Sequence, residues 1–128
     1  MRIALLQYPI AWADKETNLR MAEERIAALA GKADVAVLPE MFATGFCTDH
    51  PELAETMNGE IIRRLQAVAD KSGVAIVSSL ICLPDSRHSI PDTPAKLRNR
   101  GFMIKPHAEI EVQDKRHLYA HGGEDLFF

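Results

Sequence analysis

The chain has 128 residues, is 47% hydrophobic and 26% charged, and carries a formal net charge of -3 with two cysteines, seven glycines and seven prolines. That balance excludes disorder, collagen-like repeats and a disulfide scaffold, and predicts one domain that buries roughly two thirds of its unfolded surface. No stretch approaches the ~18 apolar residues of a membrane-spanning helix, and the mild acidity argues against nucleic acid as a main partner.

Ile3–Leu6 is an unbroken apolar run ended by Tyr8-Pro9, which predicts a short, fully buried strand. Asp14 is placed to cap a helix on which Leu19, Ala22, Ile26 and Leu29 recur at helical spacing, with Gly31 closing it. Val35–Leu38 reads as a second strand that stops at Pro39. Asn58 is the expected cap of a second helix, with Ile61, Leu65, Val68 and Ala69 on one face and an end at Ser72-Gly73. Val74–Ser79, rich in β-branched residues, reads as a third buried strand. Strand-helix-strand-helix-strand alternation predicts an α/β fold with right-handed crossovers and a largely parallel sheet.

The last third changes character. Leu83–Ala95 holds Pro84, Pro91 and Pro94 among polar residues and is expected to be an exposed loop. Arg98–Lys105 and Glu109–Gln113, joined by Pro106-His107-Ala108, predict a hairpin. Ile110 and Val112 would form its buried face, with Glu109, Glu111 and Gln113 on the wet one. Lys96, Arg98 and Arg100 read as the solvated face of a strand.

In an open parallel sheet, function gathers where strands end. Glu40 sits there, just after Val35–Leu38 and Pro39. A carboxylate at the mouth of a buried strand is poorly hydrated, which raises its pKa and suits a general base. A helix cap or a surface acid is the other reading of the same residue. Lys115 follows the hairpin strand, where it is either a fixed positive donor for a developing oxyanion or a surface lysine beside Asp114. Glu124 follows the tight turn offered by Gly122-Gly123.

Taken in order, LPEMFATGF, DKRHLY and GGED resemble the nitrilase (carbon–nitrogen hydrolase) superfamily, particularly its omega-amidases. MRIALLQYPI and RNRGFMIKP are similar as well, so the likeness runs along nearly the whole chain. The resemblance implies an αββα sandwich and a Glu-Lys-Cys triad acting on small amides, with no metal and no cofactor. By motif position, Glu40 would be the base, Lys115 the oxyanion-stabilising cation and Glu124 an orienting glutamate.

The same resemblance places the nucleophilic cysteine after a further strand, a few dozen residues beyond the lysine, whereas Phe128 lies 13 residues after Lys115. Cys47 and Cys82 do not match the nucleophile motif, and with no CxxC they read as buried, reduced thiols. Residues 1–128 are therefore expected to be a single truncated hydrolase domain, inactive alone, with self-association or a missing carboxyl-terminal half covering exposed apolar strands. Leu126, Phe127 and Phe128 are expected to have little to pack against. The amino terminus lacks the apolar core of a secretory signal, so the cytoplasm is the expected location.

Two other readings stand beside this one. His117, His121 and Glu124 could form a two-histidine, one-carboxylate metal site if they shared a helix, although the twin glycines would break it; otherwise His117 packs with the lysine motif. A non-catalytic binding or assembly module, or a truncated relic, would keep the half-fold without its chemistry.

Overall fold

Leu19, Ala22 and Ile26 align on one face of a helix over Lys15–Ala27 (α1), and all three are buried. In this computed structural model, which describes residues 1–84 and 96–128, Asp14 caps α1 as expected, its carboxylate accepting from the Thr17 N–H at 3.1 Å. The helix stops at Ala27, ahead of Gly31, which takes a left-handed φ of 72° in the turn that follows. A second helix, α2 (Glu60–Ser72), buries Ile61, Ile62, Leu65 and Ala69 and ends on left-handed Gly73. Its predicted cap is corrected: Gly59 occupies the N-cap position, while the Asn58 Oδ1 accepts from the Thr56 hydroxyl at 2.7 Å and is unavailable to the helix.

Five strands form one sheet in chain order: β1 (Ile3–Leu5), β2 (Val35–Val37), β3 (Ala75–Cys82), β4 (Arg98–Ile104) and β5 (Glu111–Asp114). The first three are parallel, as α1 and α2 serve as crossovers, and the last two are antiparallel. Register places Ala36, Ile76 and Ile104 in one row, with Phe102 on the same face, and α1 and α2 cover them. The opposite row runs Leu5, Val37, Val77, Met103.

That second face has no layer over it among the described residues, and the sheet has two open edges; together these correct two expectations. β1 is not fully buried: Leu5 is 78% exposed, because helices lie on one side only and β1 is the sheet edge. Val112 shares the helix-covered face with Phe102 but is 49% exposed, since β5 is the other edge and lies beyond the helices. Ile110, by contrast, packs against the core.

The carboxyl-terminal segment is better anchored than expected. A short helix, α3 (Glu124–Phe127), leads to Phe128, which is buried with Met41, Cys47, Ile81 and Leu97, while Leu126 and Phe127 remain exposed. Arg100 is also corrected. It is buried, and its guanidinium grips the carboxylate of its register partner Asp114 at 2.6 and 2.9 Å. Of the loop predicted over Leu83–Ala95, residues 85–95 lie outside the described residues.

Asn18 gives no sign of its role in the sequence. Fully buried, it accepts from the Ala11 N–H at 2.8 Å and donates to the carbonyls of Ala11 and Ala43 at 2.7 and 2.9 Å. It thus ties the loop after β1 to the loop after β2. Asn18→Ala strands these backbone groups away from water and is expected to cost on the order of 2–3 kcal/mol. Urea unfolding measures it, and a loss within a few tenths of wild type would contradict the clamp.

Candidate active site

The turn after β2 is built by two serines of β3. Ser78 donates to the Pro39 carbonyl at 2.7 Å, and the Ser79 hydroxyl accepts from the Met41 N–H at 3.0 Å. Met41 adopts a left-handed φ of 49°, a strained conformation for a residue with a side chain, and is held there by burying that side chain beside Cys47 and Ile81. The reversal carries Glu40 out of the strand line. Its side chain is 49% exposed, so the poor hydration expected at a strand mouth is not found. The carboxylate is held by specific donors instead.

Lys115 is placed by the strand it follows, its N–H donating to the Asn99 carbonyl at 2.9 Å. Its ammonium lies 2.9 Å from Glu40 Oε1 and 3.0 Å from Glu124 Oε2, with the Phe46 ring 5.6 Å away. Glu124 opens α3 after Gly123, at a left-handed φ of 72°. A Cβ on Gly122 would stand 2.6 Å from the Tyr119 ring, so the close turn that delivers Glu124 requires a glycine. Glu124 is fully buried, and its Oε2 also accepts from the Tyr119 N–H at 2.6 Å.

Charge explains how a buried carboxylate persists here. Burial alone would raise the Glu124 pKa, but the Tyr119 N–H, Asn99 and Lys115 together hold it below the ordinary glutamate value. Burial alone would lower the Lys115 pKa, and the two glutamates outweigh it, holding the lysine above its usual value. With all three ionised, two negative charges face one positive one.

The three residues picked from the sequence thus come together around one ammonium. A fourth was missed. Asn99 on β4 donates to Glu40 Oε1 at 2.6 Å and to Glu124 Oε1 at 2.7 Å. The available signal was a short amide between two arginines, two positions before a glycine and on the same sheet face as that glycine. The open cleft beside this cluster is lined by Val37, Val77, Ser79 and Gly101.

The metal reading fails on geometry. His121 lies in a 3-10 turn (Ala120–Gly122), Glu124 begins a separate helix with both oxygens engaged, and His117 is exposed rather than packed. Both cysteines are buried and neither is in a disulfide. The Cys47 thiol points to the carbonyls of Thr44 and Gly45, at 3.4 and 3.6 Å.

The fold that carries this cluster has close structural counterparts. XC1258 from Xanthomonas campestris, a CN-hydrolase superfamily protein, matches with a TM-score of 0.87 and 29% identity over 99% of this chain and 44% of that one. A mutant of the Nesterenkonia AN1 amidase, from the nitrilase superfamily, matches at 0.77 and 25% identity over 100% of this chain and 48% of that one. The architecture is mixed α/β and corresponds to the amino-terminal part of a nitrilase-type fold.

Residues 2–127 match the carbon-nitrogen hydrolase family, and the chain belongs to it. It is similar to omega-amidase YafV of Escherichia coli K12, at 28% identity over all of this chain and 46% of the relative. YafV of Yersinia enterocolitica is 32% identical, over 97% of this chain and 44% of the relative. The 2-oxoglutaramate amidase of Bacillus subtilis is 30% identical, over 98% and 50%. The chain spans about half the length of the curated relatives it matches. No helix among the described residues is long and apolar enough to cross a membrane.

Proposed function

We propose that residues 1–128 form a single domain supplying the base and the cation of an amidase site for small omega-carboxamides. The observation that carries this reading is the Lys115 ammonium held between Glu40 and Glu124, at 2.9 and 3.0 Å. In the proposed reaction a thiol gives its proton to Glu40 as its sulfur bonds to the amide carbonyl carbon. Lys115 stabilises the oxyanion, Glu40 passes the proton to the departing nitrogen, and ammonia leaves a thioester. Glu40 then takes a proton from water as its oxygen attacks the thioester, and returns that proton to the departing sulfur, releasing the carboxylic acid and the thiol. Glu124 keeps Lys115 aligned. No step requires a metal or cofactor.

The thiol is proposed to come from a segment other than residues 1–128, because Cys47 is buried and turned to backbone carbonyls. The 128-residue chain incubated with a short omega-carboxamide such as 2-oxoglutaramate is accordingly expected to release no ammonia above background. A rate that survives Glu40→Gln would overturn the mechanism, and one abolished by Cys47→Ser would place the nucleophile at Cys47.

A second reading, an assembly module without chemistry, is favoured by the uncovered row Leu5, Val37, Val77, Met103. Both readings call for self-association or a companion segment over that face, and light scattering of a concentrated monomer would count against such a cover. They part on the segment that binds: the catalytic reading requires it to bring a cysteine to Lys115. Two buried thiols outside disulfides support a reducing compartment, proposed to be the cytoplasm.

A further inference from the structure

We propose that Asn99 is a positioning residue that divides the roles of the two glutamates, engaging Glu124 as a pure acceptor and leaving Glu40 Oε2 as the atom that takes a proton. This deepens the reading of Glu40 as the base and rests on it only for the purpose that proton serves.

Asn99 is buried on β4, and its amide nitrogen has two hydrogens, directed at Glu40 Oε1 at 2.6 Å and Glu124 Oε1 at 2.7 Å. Turned over, the amide would point its oxygen at two carboxylate oxygens, so the charges around it dictate its orientation. Glu124 then has both oxygens filled: Oε1 by Asn99, and Oε2 by Lys115 and the Tyr119 N–H. Fully buried, it has a protein donor on each of its oxygens.

Glu40 is treated differently by the same groups. Its Oε1 receives both Asn99 and Lys115, whereas no donor among the described residues reaches its Oε2. The side chain is half exposed, beside the open cleft. A neutral amide is suited to this position. A second cation would neutralise the pair and weaken the base, while an apolar side chain would leave Glu124 Oε1 without a partner in a buried site.

The test is an NMR titration of the 128-residue chain, following the glutamate side-chain carboxyl carbons and the Asn99 side-chain amide. One Asn99 amide proton is expected to change in the same step as the Glu124 carboxyl carbon. In Asn99→Leu, which keeps the volume and removes the donors, the Glu124 titration is expected to move upward. A Glu124 titration unchanged in folded Asn99→Leu would overturn the proposal, because a merely space-filling asparagine predicts that result. If that variant does not fold, the wild-type titration decides: Asn99 amide protons that ignore the Glu124 step overturn it. The titration needs no turnover. Failure of the amidase reading would show as absent chemistry in a thiol-complemented protein, with this proton pattern intact.

Discussion

Lys115→Met is expected to destabilise the folded chain by about 3 kcal/mol, and to do so less under acidic conditions. Glu124 is fully buried, and the lysine supplies its only opposite charge among its hydrogen-bond partners. The lower end of the range for a broken buried pair applies because Asn99 and the Tyr119 N–H would remain as donors. The Glu124 pKa is depressed in the folded state, so its stabilising contribution exists above the unfolded glutamate value and is lost as pH falls through the folded one. The Lys115 pKa is raised, so its contribution exists below the unfolded lysine value and is lost as pH rises through the folded one.

Without Lys115, burial is opposed by neutral donors alone, and protonation of Glu124 relieves much of the penalty. Urea midpoints of wild type and Lys115→Met should therefore converge as pH falls through the range in which glutamates protonate. A gap that stays constant with pH would mean that the lysine contributes packing and not charge.

Phe42→Ala is expected to cost about 3–5 kcal/mol. Phe42 lies two residues after Glu40, in an irregular turn, yet its ring is fully buried in the main core. The ring therefore pins the turn to the core, while Ser78 and Ser79 pin it from β3. Phe42→Leu refills part of the space and should recover part of the loss. Urea unfolding of both variants measures this, and an alanine variant losing less than about 1 kcal/mol would show that the turn collapses onto the vacancy without penalty.

Much of the fold was legible. Apolar runs of strand length alternating with Leu19–Ala22–Ile26 and Ile61–Leu65–Ala69 specify strands joined by helices, because periodicity reports directly which side of an element meets the core. The hairpin followed from Pro106-His107-Ala108 between two strand-like runs, the second alternating apolar and polar residues. Glu40, Lys115 and Glu124 could be picked out because each lies just past a strand or a glycine turn and carries a recognisable motif.

What periodicity does not encode is which face of the sheet is covered. Leu5 is as apolar as Leu65, and only the placement of both helices on one side leaves it exposed. Arg100 read as solvated because charge predicts exposure on average, yet its register partner Asp114 makes it a buried ion pair. Asn58 read as a cap until the Thr56 hydroxyl took its oxygen.

The sequence by itself determined the family, the order of strands and helices and three members of the charged cluster, since these depend on local pattern and motif. Only the tertiary structure decided that they meet around one ammonium, that Asn99 joins them, and that Glu40 is half exposed while Glu124 is buried. Apart from the Lys115–Glu124 pair, those outcomes depend on contacts across 25 to 75 positions of chain. Solvent exposure and hydrogen-bond partners at such separations are properties of the packed sheet, which no local window contains.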